Sequence, residues 1–343
     1  MKWIHGGNGV DFTETGVIRS FPSTNGFGNV LMRGNGITIE VWVKPSDTIQ
    51  GGPARILSYS FDPWLRNFTL GQEGSDLLLR LRTTKTNLDG SNPEFLVENI
   101  FAHNKMSHVV VSYDFKQLTV HQNGTLRLRS LSPGGNFDNW DLTYPLLIGN
   151  ENTGNRPWRG FVYLVAFYNR CLSIEEIKRN YRAGSTIGPY GGRETERVRK
   201  GLIALYPFRE GNGDIIQEFS SARIGPSLFI PKEVIIPTTT TGSYTKFLSL
   251  DFTPGFILRL KDILLNIAGF VPFGFFLHRT ARRPDNSIRP IMVVTILLAG
   301  AIFSIFMESL QYYVRGRSSD LYDVISNTIG VFVGVLTEKF VPN

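Results

Sequence analysis

Acidic and carboxamide side chains recur near the ends of the apolar C-terminal segments. Asp262 and Asn266 lie four residues apart, Glu308 and Gln311 three apart, and Asp320, Asp323 and Asn327 follow at similar intervals. Spacings of three and four residues place such groups on one face of a helix. Arg315 and Arg317 stand between the second and third sets. Charged and amide groups at membrane depth are costly, so they turn toward one another or toward a wet cavity. The set therefore predicts either an ion-pair network that holds helices together or a binding pocket for a polar head group or small solute. The pocket is the preferred reading. A membrane enzyme is the alternative, with Glu308 or Asp323 as general acid or base on a lipid-linked substrate. No nucleophile or metal set stands out beside them.

The elements that must position these residues are three hydrophobic segments, near 257–278, 288–312 and 321–337. IMVVTILLAGAIFSIFM, at the heart of the second, is long enough to cross a bilayer. The first and third are shorter and hold Asn266 and Asn327, yet three such segments in so short a stretch predict an all-α transmembrane bundle of about three helices. His278, Arg279, Arg282, Arg283 and Arg289 fall between the first two segments, which places that loop in the cytoplasm. A helix entering near Arg289 carries Glu308 roughly 28 Å further on, close to the outer interface. The whole polar set is then expected on the outward side, with the chain ending inside after Lys339.

DILLNIAGFVPFGFFL (262–277) and ESLQYYVRGRSSDLYDVISNTIGVFVG (308–334) resemble the VanZ-like family in spacing and residue type. Within them Pro272 can kink the first helix, and Gly330 with Gly334 forms a G-x-x-x-G face for close helix contact. The resemblance implies a link to low-level resistance to the glycopeptide teicoplanin. VanZ-like proteins usually carry another hydrophobic helix before the first motif. The expectation is that this sequence begins downstream of the true start, with an outward domain inserted after the missing helix.

The first 240 or so residues obey another pattern. Residues 37–44, 75–82, 108–113, 117–121 and 161–167 alternate as strands, separated by turn signals such as Asp89-Gly90, Asn123-Gly124 and Pro133-Gly134-Gly135. A helix is expected over 173–182, with Ser173 and Glu176 forming a capping box. Many short strands and one late helix predict an all-β antiparallel sandwich. The segments GNGVDFTETGVIRS, ITIEVWVKP, NFTLGQEGSDLLLRLRT, SHVVVSYD, PLLIGN and RGFVYLVAFYNRCLSIEEIKRNY resemble, in that order, the concanavalin A-like, laminin G-like jelly rolls. Such folds serve lectins, glycanases and adhesion modules alike, so fold alone fixes no ligand.

Catalysis by the sandwich is disfavoured. Glycanases of this architecture set carboxylates at alternate positions of one strand, and Glu40 stands alone in its strand. The five histidines show no H-E-x-x-H spacing, and His108 reads as a structural residue. No cofactor is expected; calcium at loop carboxylates such as Asp89 is the one metal considered, against a plain Asp-Gly turn. Cys171 is the only cysteine, so no intrachain disulfide forms. The N-terminus holds no apolar run that would serve as a signal peptide.

The net charge is +7, but the basic residues form no stripe interleaved with aromatics, so nucleic acid is not an expected partner. The densest cluster, Arg193, Arg197, Arg199 and Lys200, reads as a solvated connector, with an anionic lipid surface as the alternative. Residues 201–221 suggest a strand, a turn and a second strand, and Thr238 to Ser243 a polar spacer.

The expected domains are thus a jelly roll at 1–185, a connector at 186–255 and a VanZ-like membrane domain at 256–340. The expected partners are membrane lipid and a glycan or cell-wall precursor. The expected setting is a bacterial cell membrane crossed several times, with the jelly roll on the extracytoplasmic side.

Overall fold

The computed structural model describes residues 1–5, 8–21, 26–131, 133–185, 196–231, 254–281, 290–311 and 321–338, with side chains in the last three segments described over 263–281, 290–307 and 323–338. The chain divides into two compact units, Met1–Thr245 and Lys246–Asn343.

The first unit opens with β1 (Lys2–Trp3), β2 (Val10–Asp11), β3 (Ile18–Ser20) and the short helix α1 (Phe27–Met32). There follow β4 (Ile37–Pro45), β5 (Ala54–Ser60), β6 (Arg66–Glu73), β7 (Asp76–Leu81) and β8 (Phe95–Val97). Next come β9 (Ser107–Tyr113), β10 (Leu118–Gln122), β11 (Thr125–Ser130), β12 (Leu146–Ile148) and β13 (Gly160–Tyr168). Helix α2 (Ile174–Ala183) precedes β14 (Leu202–Tyr206), β15 (Ile215–Ile216) and β16 (Leu228–Phe229).

These strands make two antiparallel sheets. The first runs β1-β2-β13-β4-β9-β10-β11, with β14 also paired to β13. The second runs β15-β16-β3-β12-β5-β6-β7-β8. The five strands and the helix expected from periodicity are all present, and the sandwich is the expected one. Period-two alternation sends Ile39, Val41 and Val43 of β4 and Leu57, Tyr59, Phe68 and Leu70 of the second sheet into one shared core. The outer face of the first sheet packs Trp42, Val110, Leu164 and Tyr168 against Ile177 of α2 and against Val198. Ser173 caps α2 as expected: its hydroxyl accepts from the Glu176 backbone, and the Glu176 carboxylate accepts from the Ser173 backbone.

Strands continue past α2. β14 adds to the first sheet, and β15 and β16 extend the second beyond β3. The spacer at 238–243 lies outside the described residues.

Among the described residues the second unit holds three helices: α3 (Pro254–Ala281), α4 (Pro290–Gln311) and α5 (Leu321–Glu338). Two of them, over Ile263–Ala281 and Pro290–Met307, are long and apolar enough to cross a membrane. Helix α3 continues through Pro272. Asn266 meets Asp323 at one end and His278 meets Glu338 at the other, so α3 and α5 run parallel. Glycine makes this approach close: a Cβ added to Gly274, Gly330 or Gly334 would overlap the carbonyl oxygens of Val331, Ile267 and Val271 respectively. Ile296 of α4 packs on Val331 and Val335 of α5, which closes the small core of the bundle.

Candidate functional site

Three of the nine polar residues singled out in the C-terminal segments have described side chains, and they face the bundle interior. Asn266 Nδ2 of α3 donates to Asp323 Oδ1 of α5 at 2.6 Å. Asn327, one turn further along α5 and 5 % exposed, donates to Ser304 Oγ of α4 at 2.9 Å. All three helices thus contribute to one polar seam at the end where α3 and α5 begin and α4 finishes. Asp262 lies one turn before Asn266 on α3, and Glu308 and Gln311 follow Ser304 on α4, but their side chains lie outside the described residues. Arg315, Arg317 and Asp320 lie outside them altogether.

The seam is polar inside an apolar surround. Leu264, Phe276, Ile291, Leu298, Ile302 and Phe306 are more than half exposed on the helix surfaces. An apolar exterior with inward amides and carboxylates reverses the pattern of a water-soluble bundle. The opposite end of the bundle corrects the reading of His278. It lies inside α3, not in a basic loop, and its Nδ1 sits 2.5 Å from Glu338 Oε2 with both groups 1 % exposed. Arg279 beside it is exposed.

In the first unit, the structure assembles a polar centre around Glu40. Its Oε1 accepts from Arg197 Nη1 at 2.6 Å and from Trp42 Nε1 at 3.2 Å, and lies 3.0 Å from His108 Nε2. Its Oε2 accepts from Asn180 Nδ2 at 2.8 Å. Burial would raise the carboxyl pKa, but the Arg197 charge and the His108 contact override it and hold Glu40 well below the carboxylate range. Glu40 is fully buried beneath α2, so the centre ties helix to sheet and leaves no room for a substrate. It also corrects the expectation of a solvated basic connector. Arg197 is 3 % exposed and ion-paired, Arg199 and Lys200 are exposed, and Arg193 lies outside the described residues.

On the second sheet, cross-strand register sets the residues of the outer face. Ser58, Thr69 and Arg80 pair in a row, Ser60 pairs with Arg66, and Arg55 shares the face through Gly71 and Leu78. Arg55 Nε binds Glu151 Oε2 at 3.0 Å, Ser60 Oγ binds Glu151 Oε1 at 2.6 Å, and Arg80 Nη2 pairs with Glu94 at 2.8 Å. Nothing in the sequence marked this face, because its residues sit on three strands whose register only folding reveals.

Asp89 Oδ1 accepts hydrogen bonds from the backbone and hydroxyl of Ser91, which is a turn. Among the described residues no group of three or more histidine, cysteine, aspartate or glutamate side chains is arranged to hold a metal ion.

Residues 23–178 match the concanavalin A-like lectin/glucanases superfamily, and residues 190–341 match VanZ/LLP1. The second match begins before β14, so it reaches back into strands that belong to the sandwich. No curated protein matches the chain. Among solved structures, a candidate carbohydrate binding protein from Bacteroides ovatus is 16 % identical with a TM-score of 0.42, over 68 % of this chain and 61 % of that one. The chain therefore spans under two thirds of that relative's length. A heptameric SAP-like pentraxin from Limulus polyphemus is 13 % identical with a TM-score of 0.37, over 64 % of this chain and 96 % of that one. The CBM40 of a Ruminococcus gnavus IT-sialidase, bound to alpha2,3 sialyllactose, is 20 % identical with a TM-score of 0.40, over 50 % of this chain and 95 % of that one. Likeness at this level carries no argument about ligand.

Proposed function

Because the chain joins a concanavalin A-like domain to a VanZ-like domain, we propose that it is a multi-pass membrane protein of the bacterial cell envelope. In this reading the jelly roll binds a glycan or surface polymer outside the membrane. The helices hold a lipid-linked or amphipathic molecule near the outer leaflet, with teicoplanin resistance as one outcome. The observation that carries the reading is the polar seam: hydrogen bonds from Asn266 to Asp323 and from Asn327 to Ser304, inside helices whose outer surfaces are apolar. Groups of this kind are expensive in hydrocarbon and are retained where they meet a polar ligand or one another. The arginines between α3 and α4 support an orientation with that loop in the cytoplasm, which puts the seam on the outer side.

The test is teicoplanin susceptibility of cells expressing the chain, with Asp323→Asn and Glu308→Gln compared at equal levels in the membrane. Aspartate to asparagine keeps the shape and removes the charge. The expected result is a raised inhibitory concentration with the original chain that both variants lose. No rise with the original chain, or an equal rise with both variants, would rule out the role given to the seam.

A further inference from the structure

Cations gather on the outer side of the first sheet. Helix α2 turns Ile177, Asn180 and Ala183 toward the sheet, which leaves Lys178, Arg179 and Arg182 exposed on its far side. Arg179 donates to the Glu196 carbonyl oxygen of the segment beside the helix, and Arg199 and Lys200 of that segment are exposed as well. On the other flank the turn between β10 and β11 meets α2, for a Cβ added to Gly124 would touch Lys178 and Tyr181. Register carries the patch onward along β11. Leu126 pairs with His121 and so shares the face of Val110, and Arg129 pairs with Thr119 on that same face.

Little of this charge is neutralised within the protein. Among the described residues Lys178, Arg182 and Arg129 enter no ion pair. Of the nearby carboxylates Glu176 is held by Arg170 at 2.7 Å, and Glu175 with the half-buried Glu196 leaves the patch positive. The helix dipole accounts for a cation in the last turn, Arg182, but not for Arg129 on a neighbouring strand. Apolar groups sit among the cations: Tyr181 is 39 % exposed and Leu126 40 %. That mixture fits a lipid surface, where headgroup phosphates meet the lysine and the planar forks of the arginines while apolar tips reach the acyl boundary. A soluble polyanion would leave the apolar tips in water.

We infer that this face of the jelly roll, from the outward side of α2 to Arg129 on β11, is a docking surface for an anionic lipid bilayer. The inference goes beyond the glycan role and rests on the reading of the chain as a membrane protein, which keeps such a surface within reach. Each cation near anionic lipid adds a small increment, and several together give a contact that salt weakens.

The test places the full chain in nanodiscs of phosphatidylcholine and mixes them with vesicles of phosphatidylcholine, with or without phosphatidylglycerol, reading capture by co-flotation. Capture by the phosphatidylglycerol vesicles alone is expected, and raised salt should abolish it. Lys178→Glu with Arg182→Glu should weaken capture by about tenfold or more, and Arg129→Glu, on the strand rather than the helix, should weaken it too. Lys2→Glu with Lys85→Glu makes the same change of charge at the opposite edge of the first sheet and beyond β7, and should leave capture unchanged. Melting followed by tryptophan emission checks that each variant folds. Equal capture by both kinds of vesicle, or equal effects of the two double variants, overturns the inference. Binding of inorganic polyphosphate without capture of vesicles also overturns it and assigns the face to a soluble polyanion. Capture of nothing by a chain that stays with its nanodisc overturns it but leaves the membrane reading standing. A chain that leaves the nanodisc overturns both.

Discussion

Glu40 shows how much a single buried carboxylate holds. It joins β4 to β9 through His108, to α2 through Asn180 and to the following segment through Arg197. Glu40→Gln keeps the shape but leaves the Arg197 guanidinium buried without its counter-charge, which should cost about 3–5 kcal/mol of jelly-roll stability. All five tryptophans lie in the first unit, so tryptophan fluorescence of the full chain follows that unit's melting. The folded-state pKa of Glu40 is depressed, so in acid the unfolded chain takes up this proton first. The stability it contributes is complete above the unfolded value of about 4.3 and is lost as pH falls through the lower folded value. The melting temperature of the original chain should drop below about pH 4, and that of Glu40→Gln should drop less. Equal acid profiles would show that Glu40 is not the group responsible. None of this was legible in the sequence, where Glu40 looked isolated and Arg197 looked solvated, because their contact spans 157 positions. The assignment of His108 as structural did carry through: it is fully buried at the start of β9, ahead of three valines, and rests against Glu40.

At the scale of elements, local signals read well and pairings did not. The Ser173–Glu176 capping box was visible because both partners lie within one turn. So was the G-x-x-x-G stripe, which the structure uses where α5 meets α3. Gly334→Leu should drive these helices apart and cost more than about 3 kcal/mol, since the obstacle is backbone and cannot rotate away. Gly269 is the control: nothing lies within 4 Å of a Cβ there, so Gly269→Ala should leave the bundle unchanged or slightly firmer. Melting in detergent, followed by helical circular dichroism, separates the two. Similar losses for both variants would show that the close approach at Gly334 is not what holds the bundle together. Of the polar cluster, the helix faces were legible but not the partners: Ser304, which receives Asn327, carries no signal of its own in an apolar run.

For the whole molecule, composition alone would have concealed the division, since a mean hydropathy of -0.05 averages two unlike parts. Segment-by-segment patterning exposed it, because strands alternate with period two while the late segments are long apolar runs. The late strands were harder to place: the sequence suggested β14 and β15 but not β16, and membership of two different sheets depends on register with β13 and β3, far away in the chain. The central claim is that helices anchor a jelly roll that faces outward, and labelling of one exposed cysteine tests it most directly. Cys171 is a poor handle, for burial pushes its thiol up to about 12 and leaves little thiolate at neutral pH. Thr125, exposed at the start of β11, is a better position, placed in a Cys171→Ser background. With Thr125→Cys in intact cells, a membrane-impermeant maleimide should label the chain without lysis. Labelling only after the membrane is opened would contradict the account.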